Sequence, residues 1–230
     1  MFEYVPKSEY QPFKLEVDEI LKSIQRDLRE NGILTFQFNL IGSAKRKLIT
    51  RVENGNQGFD LDYNIVIQKV FNEDYDDAKL LKQTFMNLFD KYFDNSYEFS
   101  EDSTSVITIK KLNAQRNKVL CSVDFAIVNY YEDEEGLERQ EYIRFDKNTG
   151  NYSWALRKVA TNHRHVEDLI KENNLWEDVK DLYLNNKNKE PYKKSRIVYY
   201  QTLETIYRRN SQEKVAPEFF WCYFICNSKK

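Results

Sequence analysis

Glycine, proline, cysteine and histidine are all scarce in this 230-residue chain, at 6, 4, 3 and 2 residues. So little glycine and proline excludes collagen-like, linker-rich and low-complexity classes. Cys121, Cys222 and Cys226 are too few, and odd in number, for a disulfide framework, and they fit a reducing cytoplasm. No run approaches the roughly 18 apolar residues of a membrane helix. The first residues, MFEYVPKSEYQPFK, lack the apolar stretch of a secretory signal. The expected setting is therefore the cytoplasm, without a membrane partner. An excess of one charge is missing too: Lys+Arg 35 against Asp+Glu 37 leaves a net charge of −2. That argues against attachment to nucleic acid through a whole-molecule positive field and leaves only local basic patches. What is present is a core: 41% hydrophobic and 15% aromatic residues in a chain long enough to bury them.

The pattern predicts an α/β (α+β) first part, residues 1–150, and a helical second part, residues 151–230. After Pro12, Val17, Ile20, Leu21, Ile24 and Leu28 recur on one helical face, and Asn31-Gly32 supplies a stop. Residues 33–41 (ILTFQFNLI) alternate as a strand and run into Gly42-Ser43, a basic stretch and a polar loop. A second strand spans 60–67, a helix 76–93, and two further strands 105–110 and 119–130. The loop EDEEG leads into another strand over 140–145. From about Trp154 the periodicity becomes helical, with helices expected over 162–172, 175–185 and 193–209. The tail EFFWCYFIC is a short apolar run that fits either a strand or a buried helix end.

Acidic residues inside apolar strands carry the chemistry. In DLDYNIVI, alternation puts Asp60, Asp62 and Asn64 on one face and Leu61, Tyr63, Ile65 and Ile67 on the other. In SVDFAIV, Asp124 lies opposite Val123, Phe125 and Ile127. If these strands are neighbours, three carboxylates share one patch, and their mutual repulsion calls for cations. Oxygen-only ligands select hard cations such as Mg²⁺. Two such ions can hold both the attacking and the leaving oxygen of a phosphoryl transfer. Gly42 permits a tight turn, N–H groups at a helix start bind phosphate oxygens, and the Ser43 hydroxyl adds a donor. Lys45, Arg46 and Lys47 lie within reach of the same turn.

The ordered set LIGS (40–43), FDLDYNI (59–65) and SVDFAI (122–127) resembles the DNA polymerase beta-like nucleotidyltransferase superfamily, in its template-independent branch. The resemblance covers residues 33–130 and implies a mixed-sheet core with flanking helices, followed by a helical C-terminal part. It also implies that Asp60 and Asp62 share two Mg²⁺ ions (Mn²⁺ being an alternative) and that Asp124 binds the catalytic ion and accepts the proton of the attacking hydroxyl. Gly42 and Ser43 would then hold the terminal phosphates of an NTP. Related enzymes place lysines of a C-terminal helix over the triphosphate, which points to Lys194 and Ser195. Lys193, Lys194 and Arg196 open the last helix, where cations oppose the helix dipole unless an anion is present; a solvated face next to the joint NNKNKEPYKK is the other reading. The implied reaction moves an NMP from an NTP to an acceptor hydroxyl of a small molecule, nucleotide, RNA or protein, with release of pyrophosphate. Sixteen residues separate Ser43 from Asp60, more than the compact spacer of the family's smallest members.

Other readings of the same residues are open at this stage. Strand-end acids can simply face solvent, and Asp-x-Asp also serves metal-dependent glycosyltransferases, which would leave Gly42-Ser43 and Asp124 unexplained. The fold can also act as a non-catalytic nucleotide- or RNA-binding module. His163 and His165 invite a zinc site with Cys222 and Cys226, but His-x-His on a helix points the rings apart, so structural or surface roles are expected. Cys121 reads as core, and Tyr199, Tyr200 and Tyr207 as helix packing.

Overall fold

Two long helices and one face of a sheet supply most of the apolar surface of the N-terminal half. The computed structural model describes residues 1–157 and 161–211. The chain divides into two compact units, Met1–Val159 and Ala160–Lys230. The first unit runs β1 (Phe2–Tyr4), α1 (Lys7–Glu30), β2 (Leu34–Ile41), α2 (Gly42–Arg46), β3 (Thr50–Val52) and β4 (Phe59–Val70). It continues through α3 (Ala78–Tyr92), β5 (Glu101–Asp102), β6 (Ile107–Leu112), β7 (Val119–Glu132), β8 (Glu138–Asp146) and β9 (Asn151–Leu156).

Seven of these strands form one mixed sheet in the order β2-β4-β7-β6-β5, with β8 pairing the far half of β7 and β9 pairing β8. Only β4 and β7 run parallel; the other pairs are antiparallel. Two parallel strands cannot be joined by a tight hairpin. The intervening α3, β5 and β6 make that long connection, which lets two distant acidic segments lie side by side.

The apolar stripe expected for the first helix is the one buried, with Ile20 half-buried at its edge. Val17, Leu21, Ile24 and Leu28 of α1 join Leu81, Phe85 and Phe89 of α3 in one cluster with Leu61, Tyr63, Ile65, Val123, Phe125 and Ile127 of the sheet. Phe89 stacks on Phe125 with ring centroids 4.4 Å apart, and Phe36 meets Phe85 edge-on at 5.3 Å. Each fully buried Phe contributes about 1.5–3 kcal/mol relative to exposure. Asp77 caps α3 by accepting from the Leu80 N–H at 2.7 Å.

Several boundaries differ from expectation, among them the helix expected over 175–185, which ends at Lys189, and β4, which runs to Val70. α1 begins at Lys7, so Pro12 lies inside it rather than before it. The lost bond would have gone to the Ser8 carbonyl, and both residues are exposed, so water can satisfy it. β6 starts at Ile107, two residues after the expected strand. The largest difference is β9. Trp154 belongs to a strand, not to the start of the helical part: Tyr152 and Trp154 pack against the main core while Asn151 and Ser153 alternate outward. Only six residues long, it follows the turn closed by the Gly150 N–H on the Asp146 carbonyl at 2.8 Å.

The second unit contains α4 (Thr161–Glu172), α5 (Trp176–Lys189) and α6 (Ser195–Ser211). α6 packs on both other helices. Its buried Val198, Tyr199, Leu203 and Ile206 accompany buried Ile170, Val179 and Tyr183. Among the described residues no helix is long and apolar enough to cross a membrane. Cys222, Cys226 and the apolar tail lie outside the described residues.

Candidate active site

β4 supplies its carboxylates by simple pleating. Leu61, Tyr63 and Ile65 turn into the helix-covered core, so Asp60, Asp62 and Asn64 turn to the opposite face. In the parallel register, Asp62 lies across from Asp124 and Asp60 across from Ser122. β6 extends both rows, with Thr108 opposite Asp124 and Lys110 opposite Ser122, and β5 places Glu101 opposite Thr108. One row therefore reads Asp62, Asp124, Thr108, Glu101, and the next Asp60, Ser122, Lys110. Neighbouring strands are about 4.8 Å apart.

Asp60 and Asp124 each accept a hydrogen bond from a hydroxyl on the adjacent strand. The Thr108 Oγ1 donates to Asp124 Oδ1 at 2.6 Å, and the Ser122 Oγ donates to Asp60 Oδ1. Asp62 has no such donor among the described residues. Burial, and then the charges of Asp124 and Asp60, push its carboxyl up to about 6, with Arg46 partly offsetting them. Burial also raises Asp124 above the usual carboxylate range, opposed by the Thr108 hydroxyl.

The turn after β2 is fitted to Asp62. Gly42 has φ +65°, and a Cβ there would lie 2.1 Å from Asp62 Oδ2. Only glycine gives both the backbone angle and the space. α2 follows at once and ends at Lys47 in the left-handed conformation, with φ 59°. Ser43 is half-buried and Lys45 exposed. The Arg46 Nη1 donates to the Gly42 carbonyl at 3.0 Å, so Arg46, not Lys45, is the loop cation felt by Asp62.

The long spacer to Asp60 is ordered. Leu48 and Ile49 are buried, and β3 pairs with β1, setting Thr50 opposite Tyr4. The Val119 N–H donates to the Asn56 carbonyl at 3.0 Å. At Gly58 (φ +63°) a Cβ would be 2.3 Å from the Leu120 carbonyl oxygen, which permits the close approach that feeds β4 into the sheet.

Two sites named from the sequence lie in the second unit. Lys194 precedes α6 and Ser195 opens it, with the buried Lys187 Nζ donating to the Ser195 Oγ at 3.0 Å. His163 stacks on Tyr200 with centroids 3.9 Å apart, and Arg196 lies over the same ring at 5.4 Å, a packing role. The buried Tyr199 donates from its hydroxyl to Glu167 Oε2 at 2.6 Å. Cys121 lies on β7 itself, three residues before Asp124, and is buried in the core cluster.

Among the described residues, no group of three or more His, Cys, Asp or Glu side chains stands in position to hold a metal ion. Asp60, Asp62 and Asp124 nonetheless fit one in kind. All three offer hard oxygen donors and occupy adjacent register positions, and burial together with the charges of Asp124 and Asp60 raises the Asp62 carboxyl. Sequence reasoning missed the hydroxyl donors. Ser122 stands two residues before Asp124, a same-face spacing that was available in SVDFAI, whereas Thr108 requires knowing that β6 borders β7.

No family model matches the sequence, and no curated protein does. Among solved structures, the fold resembles Vibrio cholerae DncV in its GTP-bound form, with a TM-score of 0.53 and 13% identity over 80% of this chain and 47% of that one. DncV, a cyclic AMP-GMP synthase, in complex with the linear intermediate 5′ pppA(3′,5′)pG gives 0.52 and 13%, over 81% and 47%. Its complex with GTP and 5MTHFGLU2 gives 0.50 and 12%, over 80% and 50%. The mixed sheet with flanking helices is thus the nucleotidyltransferase fold. The chain spans about half the length of these structures.

Proposed function

We propose that the chain is a metal-dependent nucleotidyltransferase that moves an NMP from an NTP to an acceptor hydroxyl and releases pyrophosphate. The observation that carries this is the alignment of Asp62 with Asp124 across parallel strands, with Gly42 turning against the Asp62 carboxylate. Asp60, Asp62 and Asp124 would hold two Mg²⁺ or Mn²⁺ ions, which when bound neutralise the phosphates and polarise the transferred phosphoryl group. The backbone N–H of Gly42 and the Ser43 hydroxyl donate to the terminal phosphate oxygens, with charge support from Lys45 and Arg46. Lys194 and Ser195, at the start of α6, are proposed to bind phosphate oxygens through their charge and hydroxyl. Burial makes Asp124 a stronger base than an exposed carboxylate, suited to taking the proton of the acceptor hydroxyl. The similar Vibrio cholerae structures hold GTP and the linear intermediate 5′ pppA(3′,5′)pG, which favours a second nucleotide as acceptor over a small molecule, RNA or protein. We place this activity in the cytoplasm.

The test is incubation with each labelled NTP, Mg²⁺ or Mn²⁺, and a mixture of the other nucleotides, following pyrophosphate and labelled product. Metal-dependent pyrophosphate release that disappears in Asp62→Asn is expected. Absence of turnover with every NTP, while NTP plus metal still raises the melting temperature, would instead favour a nucleotide-binding module.

A further inference from the structure

Two neutral hydroxyl groups, and not the lysine in the same row, donate the hydrogen bonds to the carboxylates on this face. Lys110 sits in the row of Asp60 and Ser122, yet its Nζ pairs with Glu101 Oε2 at 3.2 Å. The hydrogen bonds to the carboxylates come from neutral side chains: Ser122 to Asp60, and Thr108 to Asp124 at 2.6 Å. In each case donor and acceptor are register partners on adjacent strands. A neutral donor fixes the rotamer of a carboxylate and occupies one oxygen without cancelling its charge. A lysine would orient the group equally well but would discharge the patch.

We propose that Thr108 and Ser122 are positioning residues that hold Asp124 and Asp60 by their Oδ1 atoms, leaving the Oδ2 atoms and the full negative charge for divalent cations. The proposal rests on the reading of these carboxylates as cation ligands. It adds that the ligand set is oriented from β6 and β7, by hydroxyls that themselves touch neither cation nor substrate. Asp62, which has no hydroxyl donor among the described residues, is oriented instead by the fit against Gly42.

The experiment is a Mn²⁺ titration of the full chain without nucleotide, read as melting temperature and as free Mn²⁺ by electron paramagnetic resonance. The wild type is compared with Thr108→Val, Thr108→Ser, Ser122→Ala and Asp62→Asn. Thr108→Val preserves shape and removes the donor; Thr108→Ser keeps the donor. Loss of an orienting hydrogen bond typically costs about 10–100-fold in metal affinity. Thr108→Val and Ser122→Ala are therefore expected to shift the Mn²⁺ midpoint upward by about that factor, while Thr108→Ser stays close to wild type. Should Thr108→Val fail to fold, Ser122→Ala and Thr108→Ala carry the same comparison. Wild-type midpoints in the donor-less variants would overturn the positioning role. A wild-type chain that ignores Mn²⁺ would overturn both this role and the transferase reading. One that binds Mn²⁺ with the expected variant pattern but transfers no nucleotide would overturn the transferase reading alone.

Discussion

Gly42 and Asp62 occupy one space: a single carbon added to Gly42 would come within 2.1 Å of Asp62 Oδ2. Gly42→Ala should therefore act twice. The positive φ costs an alanine about 1 kcal/mol, and the Asp62 carboxylate must also leave its place. The expected result is a stability loss of about 1–3 kcal/mol in denaturant titration and loss of turnover. Unchanged turnover in Gly42→Ala would show that the Asp62 rotamer is unimportant.

Asp62 predicts a pH-dependent stability with a definite sign. Its folded-state pKa of about 6 lies above the usual 3.8. Folding is then penalised once the carboxyl ionises. The penalty is absent below about pH 4, grows as pH rises to 6 and is complete above that. At full ionisation it amounts to about 1–3 kcal/mol. Metal-free Asp62→Asn should be more stable than wild type at pH 7 by that order, with the difference vanishing near pH 4. Equal melting temperatures at pH 7 would contradict the assignment of Asp62 as an ionised, poorly compensated acid.

Asp124→Asn should separate binding from chemistry. With Asp60 and Asp62 intact, Mg²⁺-NTP affinity is expected to stay near normal while kcat falls by more than the roughly 10–100-fold of an orienting residue. Asp62→Asn should weaken both. Parallel measurement of NTP affinity and turnover decides, and wild-type turnover in Asp124→Asn would exclude it as the proton acceptor.

A fourth expectation concerns Lys82, whose side chain is only 2% exposed and pairs with Asp102 Oδ1 at 2.6 Å. Its Nζ also donates to the Ser103 carbonyl at 2.7 Å, and the Tyr152 hydroxyl donates to Asp102 Oδ2. The network ties α3 to β5 and β9. Burial lowers the Lys82 pKa despite Asp102. Lys82→Ala should cost about 3–5 kcal/mol by stranding Asp102. Lys82→Met with Asp102→Asn should recover much of that in the same denaturant assay.

The helix faces and the alternation of β4 and β7 were legible because each pattern is local, repeating every 3.6 or 2 residues. Asp60, Asp62 and Asp124 stood out as charges breaking otherwise apolar strands. What escaped was set by partners far along the chain. β1 and β3 have three residues each and little periodicity; they exist as strands because they pair with each other. β9 is stabilised by β8 and by burial of Tyr152 and Trp154, not by its own short pattern. Arg46 outranks Lys45 beside Asp62 because it falls one helical turn after Gly42 and bonds back to the Gly42 carbonyl, which composition does not encode.

β7 is flanked along most of its length, by β4 on one edge and by β6 and then β8 on the other. Amide protons in such a doubly paired strand exchange with solvent only when the whole unit opens. α2, five residues long, has a single turn of hydrogen bonds to hold it. Asp124 therefore sits on a strand paired at both edges, while Gly42 and Ser43 sit on that single turn. Hydrogen exchange is therefore expected to be slower at Asp124 than at Gly42 and Ser43, so that the two parts of the candidate site open separately.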